Sequence, residues 1–182
     1  MTPEHQYIYP AEYSPQEQKI IETIIHSLEQ YAFTDIVKTL QLPITLATFT
    51  LCVCFIDVLS HHRYFDDKKK TKDKAKFIAF IEDYFPDRYH GQVEDIYTSL
   101  RSKLVHNYSS NKLYNLISGK SHSLHFTTDK NGKTILVAEQ FISDIRNAFE
   151  NYAKDLRFNK EIGIIAINHY KKYPVFQATE LD

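Results

Sequence analysis

Ten residues near the middle of the chain, LRSKLVHNYS from Leu100 to Ser109, gather Arg101, His106, Asn107 and Tyr108 at the end of an amphipathic run. Arginine is a permanent cation whose planar fork matches phosphate oxygens, and histidine takes or gives a proton near neutral pH. Together they are a minimal kit for metal-free RNA cleavage, in which a ribose 2′-hydroxyl attacks its own phosphorus. The plainer alternative is helix-end electrostatics. A helix dipole favours cations in its last turns, and Arg101, Lys103 and His106 all fall there. With five Arg and nine His in the chain, an Arg followed shortly by a His is common by chance, so the pair alone carries little.

The element that must hold these residues is a helix from Gln92 to about His106, with Val93, Ile96, Tyr97, Leu100 and Leu104 in one stripe. At about 100° per residue, Arg101 lies on the flank of that stripe and His106 about 140° further round. One α-helix therefore has difficulty presenting both side chains to one phosphate. Two facing copies relax that demand, which predicts a C2 dimer with this helix near the axis.

Other elements follow from capping and period. Ser14-Pro15-Gln16-Glu17 is a capping-box start, opening a helix from Pro15 to Phe33 with Ile20, Ile21, Ile24, Leu28 and Tyr31 inward. Residues 1–13 read as an extended arm. A short helix from Asp35 to Leu40 precedes an apolar one beginning near Ile44 and ending at His61 to Arg63. Its run from Ile44 to Leu59 is shorter than the roughly 20 apolar residues a bilayer needs, which predicts a buried core helix. Further helices are expected from Lys74 to Phe85, Ala138 to Leu156 and Lys160 to Tyr173. Leu113, Leu116 and Ile117 suggest a short helix or turn. HSLHFTTDKNGKTILV alternates around Asn131-Gly132, which predicts a β-hairpin over about 123–137. The fold expected is all-α: an antiparallel bundle of about five main helices with that hairpin inserted before the penultimate one. No linker marks a second domain.

The remaining candidates are less specific. Asp57 is a carboxylate inside the apolar helix; it could orient His106 or pair with a structural partner such as a Tyr hydroxyl or a Lys. His61 and His62 are adjacent, and His122 and His125 sit three apart on an expected strand, facing opposite ways. Neither set has metal-ligand spacing. Six lysines between Lys68 and Lys76 read as a solvated loop; Lys103 and Lys112 are candidate RNA contacts.

The string IYTSLRSKLVHNYS resembles the HEPN superfamily (higher eukaryotes and prokaryotes nucleotide-binding domain), recognised by an Arg, four to six residues, then a His. Here the match is Arg101, four residues and His106. Tyr108, two residues on, fits the pattern of the HEPN toxins paired with nucleotidyltransferase antitoxins. Ser102 departs from the Asn, Asp or His that often follows the family's Arg. The resemblance implies a helical bundle that dimerises to form a composite cleft, and a metal-independent endoribonuclease of toxin-antitoxin or phage-defence type needing no cofactor. It makes His106 the general base or acid and Arg101 the stabiliser of the phosphorane. Ser102, Asn107 and Tyr108 would support the site, and Tyr108 would match the residue an antitoxin adenylates. Some HEPN domains are instead non-catalytic dimerisation, protein-interaction or RNA-binding modules.

Composition sets the limits. With 182 residues, 43% of them apolar, the chain can build one substantial core, and a net charge of −1 excludes wrapping a polyanion as its main business. Four Gly and six Pro favour long helices. Cys52 and Cys54 read as buried, reduced thiols, and MTPEHQYIYP lacks the pattern of a secretory signal, so a cytoplasmic protein is expected.

Overall fold

In the computed structural model, Ser14 accepts a hydrogen bond from the Glu17 amide while the Glu17 carboxylate bonds back to the Ser14 amide, so the expected capping box starts helix α1, Pro15–Ser27. The residues described are 9, 12–42, 44–67, 71–107, 113–119 and 122–174. The expected helix end at Phe33 is absent. A π-helical turn, Leu28–Phe33, instead joins α1 directly to α2, Thr34–Thr39. Its i→i+5 bonding inserts extra backbone and advances the phase of the apolar stripe. Phe33 therefore takes the buried place and Tyr31, expected inward, is exposed.

Helix α3, Thr45–Arg63, lies against α2, α4, α7 and α8. It is long and apolar enough to cross a bilayer by length and composition, and half of that window is buried. Phe33 and Phe149 pack on Phe55, and Phe49 stacks on Phe141. One face departs from the expectation of a fully buried helix: Leu46, Leu51 and Val58 are exposed. Cys52 is buried as expected, but Cys54 is exposed because it shares this face.

Helix α4 spans Asp73–Tyr84, and Pro86 ends it. A 3₁₀ turn, Asp87–Gln92, leads into α5, Val93–Ile96, then a second π-helical segment, Tyr97–Leu104, then α6, Val105–Asn107. The single α-helix expected from Gln92 to His106 is thus a composite. Val93, Ile96, Leu100 and Leu104 are nonetheless buried, with Tyr97 packed at the margin of the core.

The β-hairpin is the main correction. The two strands, β1 at Tyr114–Ile117 and β2 at Thr134–Val137, run parallel, with Tyr114 opposite Thr134 and Ile117 opposite Val137. A tight turn does form near the expected Asn131-Gly132, but over Asp129–Gly132, with the Gly132 amide donating to the Asp129 carbonyl; Gly132 alone takes positive φ, +77°, and Asp129 Oδ1 accepts from the Asn131 and Lys133 amides. The arm before it reduces to one antiparallel bridge, Thr128 to Thr134, because His122–Leu124 coils into a 3₁₀ turn. The other edge of β2 is claimed by the segment expected as a short helix or turn. His122 and His125 consequently do not occupy a strand.

Helices α7, Ala138–Phe158, and α8, Lys160–Lys172, complete a mostly helical architecture. Phe141, Ile145, Phe149 and Tyr152 are buried as their spacing predicts. Gly163 allows α8 to approach the Tyr13 hydroxyl, which bonds the Leu156 and Asn159 carbonyls; a Cβ there would meet that hydroxyl at 2.0 Å. Tyr13 ties the end of the N-terminal arm to the turn between the last two helices.

Candidate functional site

Arg101 emerges from the π-helical segment toward α3, and Asp57 meets it. Arg101 Nη2 donates to Asp57 Oδ2 at 2.8 Å and Nε donates to Oδ1 at 3.3 Å, a fork-on-carboxylate arrangement. The pair is half-buried, with side-chain exposures of 23% and 19%, and Tyr97 lies under the guanidinium at 5.6 Å from its ring centre. Among the described residues Nη1 has no partner. Asp57 therefore holds one edge of the fork.

This placement answers the expectations for Asp57 and His106. The partner found for Asp57 is Arg101; among the described residues it bonds neither a Tyr hydroxyl nor a Lys. His106 is exposed on α6, with no bond to a described side chain. Ser102 and Lys103 are half-buried on the same segment. The Asn107 side chain, Tyr108, Lys112 and Lys68 to Lys70 of the lysine run lie outside what is described. The π-helical backbone changes the geometry assumed for an α-helix. Bonding from i to i+5 widens each turn, so Arg101 and a residue five positions later are drawn closer in azimuth than about 140°.

A histidine that spacing alone did not select stands one helical turn beyond Asp57. His61 shares the Asp57 face of α3 by its i+4 position, and its Nε2 lies 3.0 Å from Asp73 Oδ1 at the start of α4. Burial lowers its proton affinity first; the cations Lys76 and Arg101 lower it further, while Asp57 and Asp73 oppose them. His61, Asp73 and Lys76 line an open cleft of about 520 Å³, with Phe65, His169 and Lys172 on its other walls. Asp73 was out of reach of sequence reasoning because it is twelve residues from His61; the i, i+4 spacing of Asp57 and His61 was the available signal.

A second polar assembly, also missed, is closed. Asp144 of α7 accepts from Arg88, from the Tyr89 hydroxyl at 2.6 Å and from Gln140 at 3.0 Å. Tyr89 is 2.9 Å from His125 Nε2, and His125 Nδ1 accepts from the Val137 amide. That amide fixes the neutral tautomer: Nε2–H donates to Tyr89, whose hydroxyl donates to Asp144. Burial pushes the His125 pKa down to about 4 and raises that of Tyr89. The assembly pins the 3₁₀ turn, and hence the start of the Arg101-bearing helix, to α7. Its sequence signal was Asp144 at i+3 from Phe141, a carboxylate in the register of an apolar stripe.

His62 and His169 form a third group, their ring centres 4.2 Å apart and both Nδ1 atoms buried without a partner. Burial lowers their pKa values to about 3 and about 4. Among the described residues, no three His, Cys, Asp or Glu side chains converge on a point that would hold a metal ion. Comparison with protein-family models, with curated proteins and with solved structures found no match to this chain.

Proposed function

We propose that this chain is a HEPN-like, metal-independent endoribonuclease acting in the cytoplasm as the toxin or effector of a toxin-antitoxin or phage-defence pair. The observation that carries the reading is the Arg101 fork, anchored on one edge by Asp57 with Nη1 unpartnered among the described residues, on the same composite helix as the exposed His106. A guanidinium fixed in this way is a prepared phosphate donor, since its rotamers are already restricted before RNA arrives. Arg101 would stabilise charge on the phosphorane, His106 would transfer a proton, and Ser102 and Lys103 would border the bound strand. The HEPN resemblance further supports roles for Asn107 and Tyr108, an RNA contact at Lys112, and a nucleotidyltransferase-type antitoxin as partner.

A C2 dimer belongs to this reading. Leu51, Cys54 and Val58 form an exposed, uncharged stripe beside Asp57, and an apolar stripe at the edge of a site suits a self-complementary contact. The deciding experiment incubates the protein with a mixed RNA pool in EDTA, beside Arg101→Ala and His106→Ala. Cleavage by wild type that both substitutions abolish is the expected result; cleavage surviving in both removes these residues from the reaction. The second reading, a non-catalytic interaction or RNA-binding module, is favoured by the two-bond Asp57–Arg101 pair, which also serves as a structural tie between helices. It predicts no cleavage, with any RNA affinity retained in His106→Ala.

A further inference from the structure

We infer that His61, oriented by Asp73, is the general base of this site, and that His106 acts as the general acid; the inference rests on the ribonuclease reading above. His61 is the histidine whose position the fold fixes from two sides. It shares a helix face with Asp57, which grips Arg101, and its Nε2 is bonded to Asp73 at 3.0 Å. With Nε2–H donating to that carboxylate, Nδ1 carries the free lone pair. This is the carboxylate–imidazole arrangement that sets a tautomer and stabilises the imidazolium formed when the ring takes a proton. The ring is 30% exposed on an open cleft of about 520 Å³, wide enough for a nucleotide.

The cleft sets Lys76 and Lys172 against Asp66, Asp67 and Asp73, with Lys172 paired to Asp67 and Asp73 bonded to His61. Lys76, half-buried on α4, makes no ion pair among the described residues, and it acts electrostatically on both His61 and His169. Arg101 on the π-helical segment lowers the proton affinity of the same ring through its charge, while Asp57 on its own helix and Asp73 on α4 raise it. With Lys172 paired to Asp67, Lys76 is the lysine of the cleft without an ion pair among the described residues.

The reaction closes with these groups. His61 Nδ1 removes the 2′-hydroxyl proton as O2′ bonds to phosphorus. The P–O5′ bond breaks, its electron pair leaves with O5′, and imidazolium His106 supplies the proton that O5′ takes. The products are a 2′,3′-cyclic phosphate and a 5′-hydroxyl, and water returns the proton from His61 to His106. Arg101 Nη1 stabilises the equatorial oxygens.

The test measures RNA cleavage in EDTA against pH for wild type, His61→Asn, Asp73→Asn and Lys76→Gln, with melting curves to confirm folding. His61→Asn should lower kcat by about 100-fold or more, with KM changed less than about threefold. The acid limb of kcat/KM should move to lower pH in Asp73→Asn, which loses a charge that favours the imidazolium. It should move to higher pH in Lys76→Gln, which loses one that opposes it. Opposite movements are what a merely structural role for these residues does not produce. Wild-type rates in His61→Asn, with cleavage still dependent on Arg101, overturn the inference alone, as does an acid limb that neither charge substitution moves. Absence of cleavage by wild type overturns the ribonuclease reading and this inference with it.

Discussion

Two arginine–carboxylate pairs hold this molecule together in different ways. Asp144 is almost wholly enclosed, 3% exposed, and it is saturated by Arg88, Tyr89 and Gln140. Asp57 is 19% exposed and holds one fork edge of Arg101. In the first pair the carboxylate is closed, while Arg88 is 41% exposed and meets it through Nη2 alone. In the second, Arg101 Nη1 has no partner among the described residues. A polar group is available for function when its geometry is fixed and its hydrogen bonding is incomplete, and Arg101, held through two nitrogens where Arg88 is held through one, is the more firmly fixed of the two cations.

That contrast breaks first at Asp144. Asp144→Ala strips the partner from Arg88 and leaves the buried Tyr89 hydroxyl without its acceptor, so a loss of about 3–5 kcal/mol is expected in denaturant unfolding. A loss below about 1 kcal/mol would remove the distinction between the two pairs. Arg101→Ala should act the other way round: RNA cleavage falls by about 100-fold or more, while stability falls by about 1–3 kcal/mol for the Asp57 left half-buried. Arg101→Lys retains the charge without the fork and should recover less than about a tenth of the activity.

Acid tests the buried histidines. His62, His125 and His169 have folded pKa values of about 3, 4 and 4, below the ordinary 6.5. The unfolded chain therefore binds protons that the folded chain refuses, and stability is fully present above pH about 6.5 and falls toward pH about 4. Unfolding midpoints at pH 7.5, 6 and 5 should decline in that order, and His125→Gln should flatten the decline. At the small end stands Lys38–Asp35, a pair more than half exposed on both sides. Asp35→Ala should change stability by about 0.5 kcal/mol or less, and any effect should vanish in high salt.

How much of this was legible depends on the range of the cause. The capping box at Ser14 and the end of α4 before Pro86 are local effects, and each stands where the sequence places it, while the tight turn expected at Asn131-Gly132 forms over Asp129–Gly132. The stripe through Phe141, Ile145, Phe149 and Tyr152 was readable because a 21-residue helix repeats one period many times. The π-helical segments were not, since an inserted turn leaves no compositional mark and reveals itself only as a slip in phase, as between Tyr31 and Phe33. Strand direction failed for a related reason. Tyr114–Ile117 and Thr134–Val137 are too short for pattern to choose between a local hairpin and a parallel pairing across sixteen intervening residues.

The amino-acid order by itself determined a helical protein with a large aromatic core, and it singled out Arg101 and His106 as polar groups at the end of an apolar stripe. Those are consequences of neighbours along the chain, where capping, period and side-chain chemistry act within a turn or two. Only the tertiary structure decided that Arg101 leans on Asp57, that His61 meets Asp73, and that Asp144 is sealed beneath Arg88 and Tyr89. Such pairings join helices far apart in sequence. Each depends on how a packed core rotates its helices about their axes, and local rules set no value for that rotation.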